Sequence, residues 1–339
     1  MNKLFIAVEN DEVMPDGSLE DDIAVIDSNS AAIAQLSDSA QEGSDIQETL
    51  GQMDAAPGQA AQIAKEHLMS RLMLSSNVSM ESVEHRVDRG QSIAQEGIGA
   101  RLKETMKRVF TSDQKLLKLL ESSMEKVKTG EMSESNIEEP GWGRIFTAGS
   151  KTTISGKDAI ATAREFAKVI NGNDLINVLE KIGLTLQKTA DQLNKSTFVA
   201  DDAAVAEIER LGAELDEIES KIGKLLPNVT SVRRDVNFKP LDKKEAVELS
   251  KITEDLIDNS KLTNALARFS EKSNEYNAVM ITNHFTRLKT VIGLPAADLK
   301  AARNVVSRSN RMVTVVNNIL TDRSKLAYGS VKYITSSVK

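Results

Sequence analysis

Cysteine is missing altogether from this 339-residue chain. Its absence excludes a disulfide framework, a thiol nucleophile and any thiolate-ligated metal site. Aromatic residues are nearly as scarce, at 4% with one tryptophan and three tyrosines, which is thin for a globular enzyme. No apolar run approaches the roughly 20 residues needed to cross a bilayer. The opening "MNKLFIAVENDE" has a short apolar stretch but turns acidic at once, with no small-residue cleavage site behind it, so it does not read as a secretory signal. A chain made in the cytosol, and used there or packaged from it, is expected. No Gly-x-Ser-x-Gly elbow and no His-Glu-x-x-His helix is present. Neither an enzyme nor a bound cofactor is expected.

What the chain does have is charge polarity. The net charge of −7 conceals an acidic segment, residues 1–96, with 18 Asp and Glu against 5 Lys and Arg, a net of −13 that leaves +6 for residues 97–339. From Tyr276 to the end, 10 Lys and Arg face only Asp298 and Asp322, a net of +8. An acidic segment attached to a body that can approach an anionic partner is the implied organisation.

Three regimes follow along the chain. Residues 1–60 are acidic and rich in Ser, Gln, Ala and Gly beyond residue 9, a composition that predicts a mostly disordered segment. Residues 61–128 turn helical, with Ile63, His67, Leu68, Leu72, then Leu102, Met106, Val109, Leu116, Leu117 and Leu120 at steps of three and four. Residues 129–158 read as a Gly, Ser and Thr-rich linker or turn-rich element, in which the Gly141–Phe146 stretch has no assigned role.

Residues 159–339 then read as a helical bundle domain. Leu175, Leu179, Ile182, Leu186 and Leu193 follow a capping Asp174, and Val205, Ile208, Leu211, Leu215, Ile218, Ile222 and Leu225 form a coiled-coil-like stripe stopped by Pro227. Their short join predicts an antiparallel hairpin, and the stripe reads as bundle core rather than a partner-binding zipper. Further helices are expected at 242–258, 260–291 and 296–325. The expected fold is all-α: an elongated bundle with a coiled-coil-like hairpin and little sheet.

The chemistry-bearing stretches have bland readings. "GSKTTISGKD" resembles a phosphate loop but lacks the glycine four residues before Gly156-Lys157, and Asp158 replaces the hydroxyl residue; a turn capping the next helix is expected. Glu81, Glu84 and His85 share adjoining helix positions, yet His67 and His284 have no fixed relation to them, so a solvated helix face is expected rather than a metal site. Lys300, Arg303, Arg308, Arg311, Arg323 and Lys325 share a predicted helix with Val305, Val306, Val313, Val316, Ile319 and Leu320. Two readings stay open for them: the solvated cationic face of a bundle helix, or contact with DNA phosphates without sequence preference. No base-reading fold is visible.

One short word recurs. "SAQEG" at Ser39–Gly43 returns as "IAQEG" at Ile93–Gly97 with unlike flanks, so an internal repeat does not explain it. Ala-x-Glu before a small residue resembles the sites cut by the prohead protease of giant tailed bacteriophages. The overall plan is similar to the internal head proteins of those phages: an acidic propeptide, then a helical, mildly basic body without cysteine. The resemblance implies cleavage within Ala40, Gln41, Glu42, Gly43 and within Ala94, Gln95, Glu96, Gly97, each after the glutamate. Glu96, where the charge changes sign, is the expected final site, and Glu42 an earlier or partial cut, both in flexible positions. Glu165, in Ala163-Arg164-Glu165, lies in a predicted helix and is expected to be spared. The implied partners are the prohead protease, other head or scaffold proteins, and DNA; the implied location is the capsid interior, with retention in the head or ejection with the genome. Against this stands a cytosolic coiled-coil adaptor or secreted effector with a flexible acidic tail.

Overall fold

The computed structural model describes residues 19–55, 80–146, 152–195, 236–258 and 297–339, with parts of 206–217 and 261–272. The fold is all-α. Its helices are α1 (Leu19–Ala55), α2 (Met80–Thr129), α3 (Gly156–Asn171), α4 (Asn173–Lys195), α5 (Lys243–Ile257) and α6 (Ala297–Ser336), with a 3-10 helix at Gly141–Phe146. At 1.5 Å per residue, α2 is about 75 Å long and α6 about 60 Å, which draws the bundle out along one axis. Helical pieces also occupy the described parts of 206–217 and 261–272, and Leu211, Leu262, Ala265, Leu266 and Phe269 are buried. The rest of the Val205–Leu225 stripe and the Ile63–Leu72 stretch lie outside the described residues.

Periodicity explains most of these helices. Leu102, Val109, Leu116, Leu120 and Val127 form the buried stripe of α2; Leu175, Leu179, Ile182 and Leu186 form that of α4; Val305, Met312, Val313, Val316, Ile319 and Leu320 begin that of α6. Ser155 caps α3 and Asp242 caps α5, each in a reciprocal box with the residue three positions on, Asp158 and Glu245. Asp174 lies in the first turn of α4, whose first residue is Asn173.

The central element is α6, which packs against α1, α2, α3, α4, α5 and the 3-10 helix. The pairings Asp113 with Arg323 and Ser123 with Thr335 set α2 parallel to α6. α1 runs antiparallel to both. On the other flank, Leu241 meets Ser337 while Leu256 and Ile257 meet Arg323, so α5 runs antiparallel to α6. One apolar cluster runs through the whole assembly, from Ile26 to Ile334.

Two expectations give way here. The acidic segment is not a disordered tail over Leu19–Ala55: it is a 37-residue helix with Ile26 and Ile33 fully buried. Local composition underestimated it because its partners lie on α2 and on α6, nearly 300 residues away. Nor is 129–158 a free linker. Met132 bridges Val338, Ile137 bridges Phe238, and Thr153–Ile154 pairs in parallel with Asn237–Phe238. Ile137, Trp142, Ile145, Phe146 and Ile154 anchor this turn-rich stretch to the core, and Trp142, Phe146, Phe238 and Tyr333 form one aromatic cluster with ring centroids 5.1–6.3 Å apart. The Gly141–Phe146 stretch thus fastens the segment between α2 and α3 to the end of α6.

Candidate functional site

The seam where α1 lies in the groove between α2 and α6 concentrates the charge chemistry of the molecule. Asp22, only 2% exposed, receives Arg108 at 3.2 Å and Lys115 at 2.7 Å, both from α2. Asn29, one heptad later, accepts from Arg101 at 3.1 Å. Along the α6 side, Lys332 reaches Glu20 at 3.2 Å and Lys325 reaches Asp27 at 2.6 Å, again a heptad apart. The Tyr328 hydroxyl donates to Glu20 and, with Lys332, holds that carboxyl down to about 2. The acids of α1 therefore sit as a ladder between two rows of cations.

The floor of the seam is polar as well. Ser37 donates to the Asn310 carbonyl at 3.1 Å, and Ser30 donates to Asn318 Oδ1. Asn29, Ser30, Ser37, Thr105, Ser112, Asn310, Asn317 and Ser324 are all buried. The side-chain amides of Asn310 and Asn317 and the Asn29 Nδ2 have no hydrogen-bond partner among the described residues. Buried polar groups of this kind weaken a helix seam while fixing its register. Among the described residues of α1, Ile26 and Ile33 are the fully buried apolar anchors.

The structure divides the six cations singled out for DNA contact. Lys300 and Arg303 have side chains outside the described residues. Arg308 pairs with Asp216 at 3.0 Å, and Arg311 approaches the same carboxylate at 3.6 Å. Lys325 is the Asp27 partner in the ladder. Arg323 faces inward at 3% exposure, so it is not a surface phosphate contact. Its guanidinium donates to both Asp113 oxygens, at 3.1 and 2.8 Å, and to the carbonyls of Leu256 and Ile257, both at 2.7 Å. It thereby ties α2 and α6 to the open carbonyl end of α5. Burial pushes the Asp113 carboxyl up to about 6, outweighing the opposing pull of Arg323.

Both candidate cleavage words lie inside helices, not in flexible chain. Ala40, Gln41, Glu42 and Gly43 fall within α1, and Ala94, Gln95, Glu96 and Gly97 within α2. At Gly97 the two helices come close: a Cβ there would stand 3.0 Å from Leu36 Cδ1. Because Glu42, Glu96 and Glu165 are all helical, helicity does not separate them; Glu165 lies in α3, where Ala163 and Phe166 are buried and a capping box secures the first turn.

The phosphate-loop-like stretch is a cap. Asp158 N donates to Ser155 Oγ at 3.3 Å, and Ser155 N donates to Asp158 Oδ2 at 3.0 Å. Gly156 packs closely against the α5 cap: a Cβ would lie 2.4 Å from Glu245 Oε2, which would have to shift. The side chains of Glu81, Glu84 and His85 lie outside the described residues; among the described residues no group of three or more His, Asp or Glu is placed to hold a metal, and no helix is long and apolar enough to cross a membrane.

Sequence reasoning missed the ladder itself, although its signal was present. Glu20 and Asp27, Asp22 and Asn29, Arg101, Arg108 and Lys115, and Lys325 and Lys332 all repeat at seven. Searches against protein-family models, curated proteins and solved structures returned no match.

Proposed function

We propose that this chain is the precursor of an internal head protein of a large tailed bacteriophage, a structural protein cut after Glu96 as the capsid matures and packaged beside the genome. The observation that supports the reading is one of position. The second Ala-Gln-Glu-Gly stands at the bond separating the acidic segment from Arg108, Lys115, Lys325 and Lys332, the cations that its carboxylates hold. Before cleavage those charges are matched within the molecule. Once the cleaved segment leaves its groove they become available to phosphates, which need only clustered positive charge and impose no sequence preference.

The protease of this reading binds extended backbone, so α2 opens locally before it is cut. Gly90, Gly97 and Gly99 surround Glu96, and each glycine weakens a helix by about 1 kcal/mol relative to alanine. α1 carries Gly43 beside Glu42, which suits an earlier or partial cut. The other head or scaffold proteins that would meet the acidic segment belong to the same proposal.

Peptide mass spectrometry of purified virus particles tests it. The expected result is an N-terminus at Gly97 with coverage upstream depleted. Abundant peptides from 43–96 would move the boundary to Glu42. Full-length chain in mature particles would defeat the processing, and absence from particles would favour the adaptor reading.

A further inference from the structure

Every polar partner named above for residues 19–37 lies at or beyond Gly97. Among the described side chains, the groove that receives this half of α1 is therefore built from 97–339. It is also held together without α1, because Arg323 joins Asp113 and Thr335 joins Ser123 across the α2–α6 contact. We infer that the 97–339 body carries a self-contained acceptor groove for an acidic amphipathic helix, and that residues 19–37 are its exchangeable ligand. Covalent continuity is not needed for the fit, so a cut between the two leaves a bound two-chain complex.

The chemistry selects a helix over other anions. Its cations stand in two rows at seven-residue spacing, about 10.5 Å or two helical turns, with polar and apolar side chains between them. Heptad-spaced charges flanking a seam are the grammar of helix pairing. Phosphates would meet the cations but leave Ile26 and Ile33, and the groove they fill, without a counterpart. The polar floor makes the fit specific in register, and charge provides much of the hold. Salt screens the exposed Glu20 and Asp27 pairs and thereby loosens the helix. The inference does not rest on the phage reading, since any cut between the two segments suffices.

The test starts from the full chain, so that the groove forms with its helix in place. A glycine-flanked recognition sequence for a site-specific endoprotease is inserted between Pro57 and Gly58, and the folded protein is cut. The two pieces should co-elute at about 0.05 M salt and part at about 1 M, where the Debye length falls to about 3 Å. A labelled synthetic peptide of residues 17–40 should exchange into the cut complex at intermediate salt. Asp22→Asn with Asp27→Asn in that peptide should weaken it about tenfold or more. Trp142, packed against Phe238 and Tyr333, should keep its emission throughout, showing that the body stays folded. Separation at low salt, or failure of the peptide to enter, would overturn the inference. So would displacement of the resident helix by a short DNA duplex as readily as by the peptide, because the groove would then be a general polyanion site.

Discussion

At the scale of single residues, Arg323 shows how burial decides between two roles that look alike in sequence. Its neighbours in the cationic series, Arg308, Arg311 and Lys325, are at least partly exposed, whereas Arg323 serves two carbonyls and a carboxylate inside the bundle. Arg323→Met leaves those acceptors buried and the Asp113 charge unmatched, and should cost about 3–5 kcal/mol of stability in chemical denaturation of the full chain. Arg323→Lys should recover little, because one ammonium cannot span the fork that the guanidinium makes. Asp113 adds a pH signature. Its carboxyl titrates near 6 when folded and near the ordinary 3.8 when unfolded, so the folded form holds the proton over that interval. Stability contributed by this group is full below about pH 4 and falls as pH rises through 6. Denaturation midpoints of the parent and of Asp113→Asn, compared from pH 4 to 7, should show that slope in the parent alone; parallel profiles would contradict it.

At the scale of elements, legibility followed the source of stability. The helices α3 to α6 could be read because their caps and apolar steps lie in their own sequence: Asp242 before α5, Leu175 to Leu186 in α4, Val305 to Leu320 in α6. α1 could not, because its buried face is Asp22, Asn29, Ser30 and Ser37 as much as Ile26 and Ile33, a composition indistinguishable from that of a solvated segment. The candidate site was legible as two opposite charges but not as their juxtaposition. The cleavage words were legible as words, while the surrounding helix was hidden by its glycines. Those glycines make a prediction for α2. Gly90→Ala with Gly99→Ala should raise the cost of opening by about 2 kcal/mol, slowing cleavage after Glu96 by a glutamate-specific endoprotease roughly thirtyfold. Cleavage after Glu42 is the internal control and should be unchanged. Equal slowing at both sites, or none, would mean that α2 does not open locally at its glycines.

At the scale of the whole molecule, the charge polarity of the chain becomes an internal match: the acidic helix faces the basic rows and the surface inherits only the difference. The same arrangement places the first and last described helices side by side, with α6 supplying contacts to every layer. Glu20 and Tyr328 touch across 308 residues of chain. During synthesis at about 5–20 residues per second, α6 follows α1 out of the ribosome by roughly 15–60 seconds. For that interval the carboxylates of Glu20 and Asp27 lack their α6 partners, and Ile26 and Ile33 lack half of the groove that covers them. Loop closure over such a span is slow and entropically costly. The earliest part of the bundle to be made is thus among the last to settle, and a nascent α1 spends up to a minute as an acidic segment seeking a groove that does not yet exist.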